Sequence, residues 1–200
     1  MTKNILLAGV GGQGILSIAT IIGDAATKAN LDLKQAEVHG MSQRGGDVQS
    51  NLRISDEKIW SDLIPLGEAD MIISMEPMEA LRYMPYLHEE GWIITSADTF
   101  ENIPNYPEYE LLEKELNAVD KTISYPIDSL AKENNMPKCS NMILLGMAAK
   151  FIELITPEQL RESIENVFAS KGEKIVEMNK KAFDLGVEIS AGYYYEESGI

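Results

Sequence analysis

The chain has 200 residues, of which 44% are hydrophobic and 24% are charged, proportions typical of a globular protein with a sizeable core. Its 32 acidic residues outnumber its 17 basic residues, and the formal net charge of -15 argues against unaided binding to nucleic acid. No apolar run approaches the length of a membrane span or a secretion signal, so we expect a cytoplasmic protein with no membrane partner. We also expect a single domain over residues 1–200.

The first part of the chain predicts a strand, a glycine-rich loop and a helix, followed by more strands. The apolar run at residues 5–8 predicts a buried strand, and apolar positions recur at the helical period between residues 15 and 29. Residues 33–38 predict a second strand. Alternating apolar and polar residues at 48–55 predict an antiparallel hairpin that returns through residues 58–60.

The middle of the chain predicts further strands with one helix between them. Buried strands are predicted at residues 71–74, 92–95 and 122–125, and the first of them is followed by a helix over residues 77–87. The interval 98–120 is rich in Glu, Asn, Pro and Tyr, which predicts a surface insertion.

The last 60 residues or so predict helices only. Residues 141–154 are almost uniformly apolar, which predicts a helix buried against the sheet. Thr156, with Pro157 and Gln159 after it, has the pattern of a capping box at the start of a further helix. The whole order predicts a three-layer, Rossmann-like α/β fold. Its sheet is mainly parallel, with an antiparallel hairpin, and the C-terminal third is helical.

The first motif is the glycine-rich loop between the first strand and the first helix. Gly9, Gly11 and Gly14 form a G-x-G-x-x-G pattern, whose backbone N–H groups and following helix can hold a pyrophosphate. The same glycines could instead serve only the tight packing of helix on strand. Glu37 lies near the position of the ribose-binding acid of NAD-binding proteins, but residues 38–40 lack the usual pattern, which disfavours a conventional NAD site.

The second motif is a polar, glycine-rich loop at residues 37–46. It follows a predicted strand and therefore falls at the carboxyl edge of the sheet, where open α/β sheets bind ligands. Arg44 with the glycines after it is suited to bind an anion. His39 is a candidate proton shuttle, although a lone histidine is more often structural, and Ser42 and Gln43 could simply cap the turn.

The two motifs supply the candidate residues for binding a ligand or a partner, and none is assigned a catalytic or metal-binding role. Trp60 and Trp92 are expected to fill the core or an interface, and Cys139 is expected in the core. Asn141 either caps its helix or reaches the ligand edge. The candidates are Gly9, Gly11, Gly12, Gln13, Gly14, His39, Ser42, Gln43, Arg44, Gly45, Gly46 and Asn141.

Together the two motifs resemble those of the gamma-type subunits of 2-oxoacid:ferredoxin oxidoreductases. Both stand uninterrupted, and the resemblance continues through Asn141-Met142 and Gly146. In length and in the general character of its sequence, the chain is most similar to the small (beta) subunits of indolepyruvate ferredoxin oxidoreductases. The resemblance implies an oxidoreductase that decarboxylates aryl 2-oxoacids, forms acyl-CoA with CoA as co-substrate, and passes electrons to ferredoxin.

The resemblance also implies thiamine diphosphate, magnesium and 4Fe-4S clusters, which this chain is not equipped to bind alone. It has one cysteine, Cys139, where a cluster needs four. It lacks the Gly-Asp-Gly sequence that opens a magnesium–thiamine site, since Val48 follows Gly46-Asp47. We therefore expect these cofactors on a large (alpha) partner subunit, with ferredoxin served by the complex, and we expect the chain alone to be inactive.

Within such a complex, the two glycine-rich loops could face the thiamine site of the partner and shape the substrate or CoA channel. Arg44 would then contact a carboxylate or phosphate, with Gln13 and Gln43 as orienting hydrogen-bond donors. Two alternatives stay open: a stand-alone Rossmann-type NAD(P)-binding oxidoreductase, and an assembly subunit whose loops bind no ligand. The isolated chain is a possible homodimer.

Overall fold

The computed structural model describes residues 1–39 and 46–193. In that part the chain forms a mixed sheet flanked by helices. The strands are β1 (Thr2–Val10), β2 (Asp32–His39), β3 (Asp47–Ser55), β4 (Ala69–Ser74), β5 (Leu87–Ser96) and β6 (Thr122–Tyr125). The helices are α1 (Ile15–Lys28), α2 (Pro77–Arg82), α3 (Tyr109–Asn117), α4 (Ile127–Glu133), α5 (Ser140–Ala148), α6 (Pro157–Phe168) and α7 (Glu173–Gly192).

The sheet has the order β2-β3-β1-β4-β5-β6. Strands β1, β4, β5 and β6 are parallel to one another, whereas β3 is antiparallel to both β1 and β2. This confirms the predicted mainly parallel sheet with an antiparallel hairpin. The predicted strands at 33–38, 71–74, 92–95 and 122–125 all form.

The hairpin consists of β2 and β3, and the predicted return through residues 58–60 is wrong. Both edges of β3 are occupied, by β1 on one side and β2 on the other, so a returning strand has no edge to join. Residues 58–60 form an irregular segment instead. Its Ile59 is buried, and the Ile59 N–H donates to the carboxylate of Asp32 at 2.6 Å.

One predicted boundary in the middle of the chain is also wrong. The helix from Pro77 ends at Arg82, because Pro85 cannot donate a helical hydrogen bond, and Leu87 already belongs to β5. The predicted insertion at 98–120 contains α3, whose buried Leu112 and Leu116 pack it against the domain.

The helices lie on both faces of the sheet and form the predicted three layers. One face carries α1, α5, α6 and α7 over a large core that includes Ile5 and Leu7 of β1. The opposite face carries α2 and α3 over a smaller core that includes Leu6 and Ala8. Successive residues of β1 point to opposite faces, and both faces are apolar because both are covered. No helix of the described residues is long and apolar enough to cross a membrane.

The helical C-terminal third is built around α5, in which every residue is buried. Helix α7 crosses α5 where Gly146 of α5 meets Gly186 of α7. A Cβ atom at Gly146 would lie 2.0 Å from the Phe183 carbonyl oxygen, and one at Gly186 would lie 2.0 Å from the Ile143 carbonyl oxygen. The two backbones therefore touch directly at this crossing.

Candidate functional site

The glycine-rich loop runs from the end of β1 to the first turn of α1 and is closed by Gln13. The Gln13 side-chain oxygen accepts a hydrogen bond from Val10 N–H at 2.7 Å, and its amide donates to the Met75 carbonyl at 3.4 Å. Its backbone N–H also donates to the Val10 carbonyl. Gln13 therefore uses its polar atoms to hold the loop against the end of β4.

Gly14 is the point at which the loop becomes a helix. Its backbone is left-handed, with φ of 81°, a conformation that glycine adopts without steric cost. The Asn141 side chain at the start of α5 donates to the Gly14 carbonyl at 3.1 Å. A Cβ atom at Gly14 would lie 2.8 Å from that Asn141 nitrogen. The structure thus brings Asn141 to the glycine loop, as a residue that orders it.

The end of the second motif lies beside the first. Gly11 N–H donates to the Gly46 carbonyl at 2.9 Å, so this N–H group is satisfied within the protein and is not offered to a ligand. The backbone of His39 ends β2 opposite Val48. The remaining predicted residues, Ser42, Gln43, Arg44 and Gly45, lie outside the described residues, so the roles predicted for them stay predictions.

A cleft of about 820 Å³ opens between the glycine loop, the start of α5 and the helices α6 and α7. This volume suits a ligand of cofactor size. Of the predicted residues, Gly12, Gln13, Gly14 and Asn141 line it. A Cβ atom at Gly12 would meet no atom within 4 Å, so the loop leaves open space on this side.

Two lysines and the starts of three helices lie at the cleft, although the whole chain is acidic. Helices α1, α5 and α7 begin there, and no side chain in the described ranges caps them at Gly14, Cys139 or Gly172. Their N-terminal N–H groups carry partial positive charge. Lys138 and Lys171 also line the cleft, as does the carboxylate of Asp128. An anion is the ligand that this arrangement favours.

The far wall of the cleft is apolar, and no pattern in the sequence predicted it. Phe168, Ile175 and Met178 form this wall, and Lys171 Nζ lies 4.9 Å from the centre of the Phe168 ring. In the sequence these residues look like the buried faces of two amphipathic helices. Lys138 lies three residues before the predicted start of the buried helix, and this position was a signal in the sequence because the N-termini of helices often bind anions.

Cys139, at the start of α5, lines the cleft as a buried residue, and its burial was expected from the sequence. Burial raises the pKa of its thiol, which disfavours the reactive thiolate. Among the described residues, no group of three or more His, Cys, Asp or Glu side chains is placed to hold a metal ion.

The position of β2 argues against a conventional dinucleotide site. In Rossmann folds the strand that carries the ribose-binding acid is the direct neighbour of the first strand. Here β3 lies between β1 and β2, so Glu37 is two strands from the glycine loop, roughly 9–10 Å at the usual strand spacing. The Glu37 carboxylate instead accepts a hydrogen bond from Gln35 on its own strand at 2.8 Å.

Glu76 has a buried carboxylate and directly follows Met75, whose carbonyl accepts the hydrogen bond from Gln13 of the glycine-rich loop. Glu76 caps α2 by accepting from Glu79 N–H at 2.9 Å, and it accepts a further hydrogen bond from the Tyr106 hydroxyl. Burial raises the pKa of the Glu76 carboxyl above its usual range. Glu76 thereby anchors the segment before α3, and no local sequence signal marked it.

The fold and the two glycine motifs define a class of protein, the oxidoreductases that act on 2-oxoacids with ferredoxin or flavodoxin. The family model for pyruvate ferredoxin/flavodoxin oxidoreductases matches residues 4–189, and the chain belongs to this family. It is 37% identical over 196 residues to indolepyruvate oxidoreductase subunit IorB of Pyrococcus horikoshii, covering 92% of this chain and 94% of that one.

Solved structures share the fold. The gamma subunit of a keto/oxoacid ferredoxin oxidoreductase from Geobacter sulfurreducens superposes with a TM-score of 0.69 at 24% identity, over 95% of this chain and 99% of that one. The 2-oxoglutarate:ferredoxin oxidoreductase of Magnetococcus marinus, solved with 2-oxoglutarate, coenzyme A and succinyl-CoA, superposes with a TM-score of 0.75 at 20% identity. That match covers 96% of this chain and 31% of the other. The comparisons confirm the resemblance and the small-subunit role predicted from the two motifs.

Proposed function

We propose that this chain is the small subunit of a complex that oxidatively decarboxylates indolepyruvate and related aryl 2-oxoacids. In this reaction the oxoacid loses CO₂, its acyl group is transferred to the thiol of CoA, and the electron pair passes to ferredoxin. The observation that supports this substrate class is the 37% identity to a subunit of indolepyruvate oxidoreductase over most of both chains.

The residues of this chain do not fit the cofactors that such a reaction needs. Its one cysteine, Cys139, is not enough for a 4Fe-4S cluster, and the Gly-Asp-Gly sequence of a magnesium–thiamine site is absent. We assign thiamine diphosphate, magnesium and the clusters to the large subunit. Thiamine diphosphate supplies the carbanion chemistry and the clusters carry the electrons, and both depend on the partner.

For this chain we propose that the cleft binds the nucleotide end of CoA. CoA carries phosphate groups, which fit Lys138, Lys171 and the N-terminus of α1, and an adenine ring, which fits the apolar wall at Phe168. Asn141 and Gln13 would keep the glycine loop in place beside the phosphates. The Rossmann-type NAD(P) alternative is less favoured because Glu37 stands two strands away.

Kinetics of the assembled complex tests the cleft. We expect Lys138→Ala and Lys171→Ala each to raise the KM for CoA about tenfold, the loss that one charge-assisted contact predicts. The KM for indolepyruvate and kcat should stay the same, because neither lysine would touch the oxoacid. Lys181→Ala, which removes an exposed lysine of α7, is the matched control. Unchanged KM values for CoA in both variants would refute the assignment.

Two further measurements separate the alternatives. The isolated chain should not reduce ferredoxin with any oxoacid, whereas the complex should do so and should prefer indolepyruvate to pyruvate and 2-oxoglutarate. In calorimetric titration of the complex, CoA should bind and NAD(P) should not. Tight NAD(P) binding would favour the stand-alone dehydrogenase, and a cleft that binds neither would favour a purely assembling subunit.

A further inference from the structure

The segment between β3 and β4, residues 56–68, exposes three large apolar side chains; we name it the apolar loop. Trp60 is 85% exposed, Leu66 is 66% exposed and Leu63 is 55% exposed. Three such residues within seven positions concentrate exposed apolar surface in one short segment, and such a concentration often marks an interaction site. The loop follows the end of β3, which runs against β1, and it leads into the start of β4. It therefore lies at the opposite end of the sheet from the cleft.

The apolar loop is held in one shape although it contains no helix or strand. The guanidinium of Arg53 donates to the Ser61 carbonyl at 3.0 Å and to the Leu63 carbonyl at 3.3 Å. Ile59 and Ile64 are buried and anchor the loop on the domain. Its inward side chains are thus already ordered, and binding through the outward ones would need little further ordering of the backbone.

Tryptophan is among the residues most enriched at the hot spots of protein interfaces, and the side chain of Trp60 is exposed to solvent. Lys58 Nζ lies 4.2 Å from the centre of the Trp60 ring, so the ammonium group lies over one ring face. Trp92, the other tryptophan, is half-buried; it packs on Phe151 with ring centres 4.2 Å apart and lies against the core. Both tryptophans were predicted to fill the core or an interface. Trp92 packs on the core, and the exposed Trp60 is left as the candidate for an interface.

The charges around the patch select the kind of partner. Within the apolar loop, the exposed carboxylates of Glu57, Asp62 and Glu68 outnumber the one exposed lysine, Lys58, and Asp56 pairs with the N-terminal amine. A second copy of this chain, itself at a net charge of -15, would bring carboxylates against carboxylates. A surface with an apolar recess and a rim of lysine and arginine would satisfy both the tryptophan and the carboxylates.

We propose that the apolar loop is a docking surface for the large subunit, which receives Trp60 in an apolar recess with a basic rim. This inference rests on the proposed function, because that function supplies the partner. It separates two tasks in the chain: the cleft binds a ligand at one end of the sheet, and the apolar loop binds the partner at the other.

The test compares assembly of the full small subunit and its variants with the large subunit. Trp60→Ala/Leu63→Ser should weaken assembly at least tenfold, whereas Leu111→Ser, which changes an exposed leucine of α3, should leave it unchanged. Thermal unfolding of the isolated variants should match wild type, because the replaced side chains are exposed. With fluorotryptophan incorporated, fluorine NMR should show the Trp60 resonance shift on assembly while that of Trp92 stays in place.

The outcomes distinguish this inference from the proposed function. A complex that forms equally well with Trp60→Ala/Leu63→Ser would overturn the docking surface and leave the proposed function standing. Failure of the wild-type chain to assemble with the large subunit would overturn the proposed function and, with it, the docking surface. If the isolated chain forms a dimer that the double substitution breaks, a second copy is the occupant and the proposal is wrong. Assembly that weakens with rising salt would support the basic rim.

Discussion

Replacing Gly146 by alanine should stabilise α5 through helix propensity and destabilise the protein through overpacking. The structure predicts that overpacking is the larger effect. Within a helix, the change from glycine to alanine stabilises by about 1 kcal/mol. In α5, however, the new Cβ atom would lie 2.0 Å from the Phe183 carbonyl oxygen and 2.9 Å from the Gly186 Cα atom. Both are backbone atoms of α7, so neither can rotate away.

The helices must therefore separate by more than an ångström before ordinary contact, at 3.4 Å or beyond, is restored. Such overpacking costs roughly 3 kcal/mol at the upper end of the usual range, because the tightly packed core around α5 must shift as well. After the gain in helix propensity is subtracted, we expect the free energy of unfolding to fall by about 2 kcal/mol. In a protein of this size that lowers Tm by roughly 4–8 °C.

Urea and thermal unfolding of the purified chain measure this loss. The matched control is Gly23→Ala in α1, where the new Cβ atom would meet only the end of the Leu33 side chain at 3.3 Å. Leu33 can adjust, so we expect this control to lie within about 1 kcal/mol of wild type. If Gly146→Ala were as stable as Gly23→Ala, the direct contact between α5 and α7 would be refuted.

Two further predictions concern a helix cap and a buried acid. Thr156→Ala removes the hydroxyl that accepts from Gln159 N–H at 3.2 Å, and should lower the free energy of unfolding by about 1 kcal/mol, whereas Thr156→Ser should not. Equal stability of both variants in urea would contradict the capping box. Because burial raises the pKa of Glu76, the stability that its neutral form provides is present at low pH and lost as the pH rises through that pKa. Glu76→Gln, which keeps an oxygen for Tyr106, should therefore gain on wild type in urea unfolding as the pH rises above the usual range of a glutamate carboxyl and through the raised pKa of Glu76. A difference that stays constant with pH would argue against the raised pKa.

Local patterns predicted most of the fold because they report burial directly. A strand covered on both faces is apolar throughout, so residues 71–74 and 92–95 were recognised without knowledge of their neighbours. The capping box at Thr156 was equally local, since its hydrogen bonds join residues three positions apart. Helix α4 escaped notice because it is short and follows its strand almost directly.

Only the part of the site that consists of glycine-rich loops could be predicted from the sequence. Gly14 and Gly46 stand in loops whose composition already suggests an unusual backbone. Phe168 and Lys171, in contrast, are ordinary residues for the end of an amphipathic helix. Their part in the cleft comes from the placement of α6 and α7 over the start of α1.

The sequence by itself determined most of the strands and helices and their order, the two glycine motifs and the family. Each of these depends on residues close together in the chain or on a recognisable pattern of them. Only the tertiary structure decided that β3 lies between β1 and β2 and that Lys138 and Lys171 share one cleft with the glycine loop. It also decided that Trp60 points outward while Trp92 is packed. These outcomes depend on contacts between residues far apart in the chain, and periodicity reports only whether a side chain is buried, not what buries it.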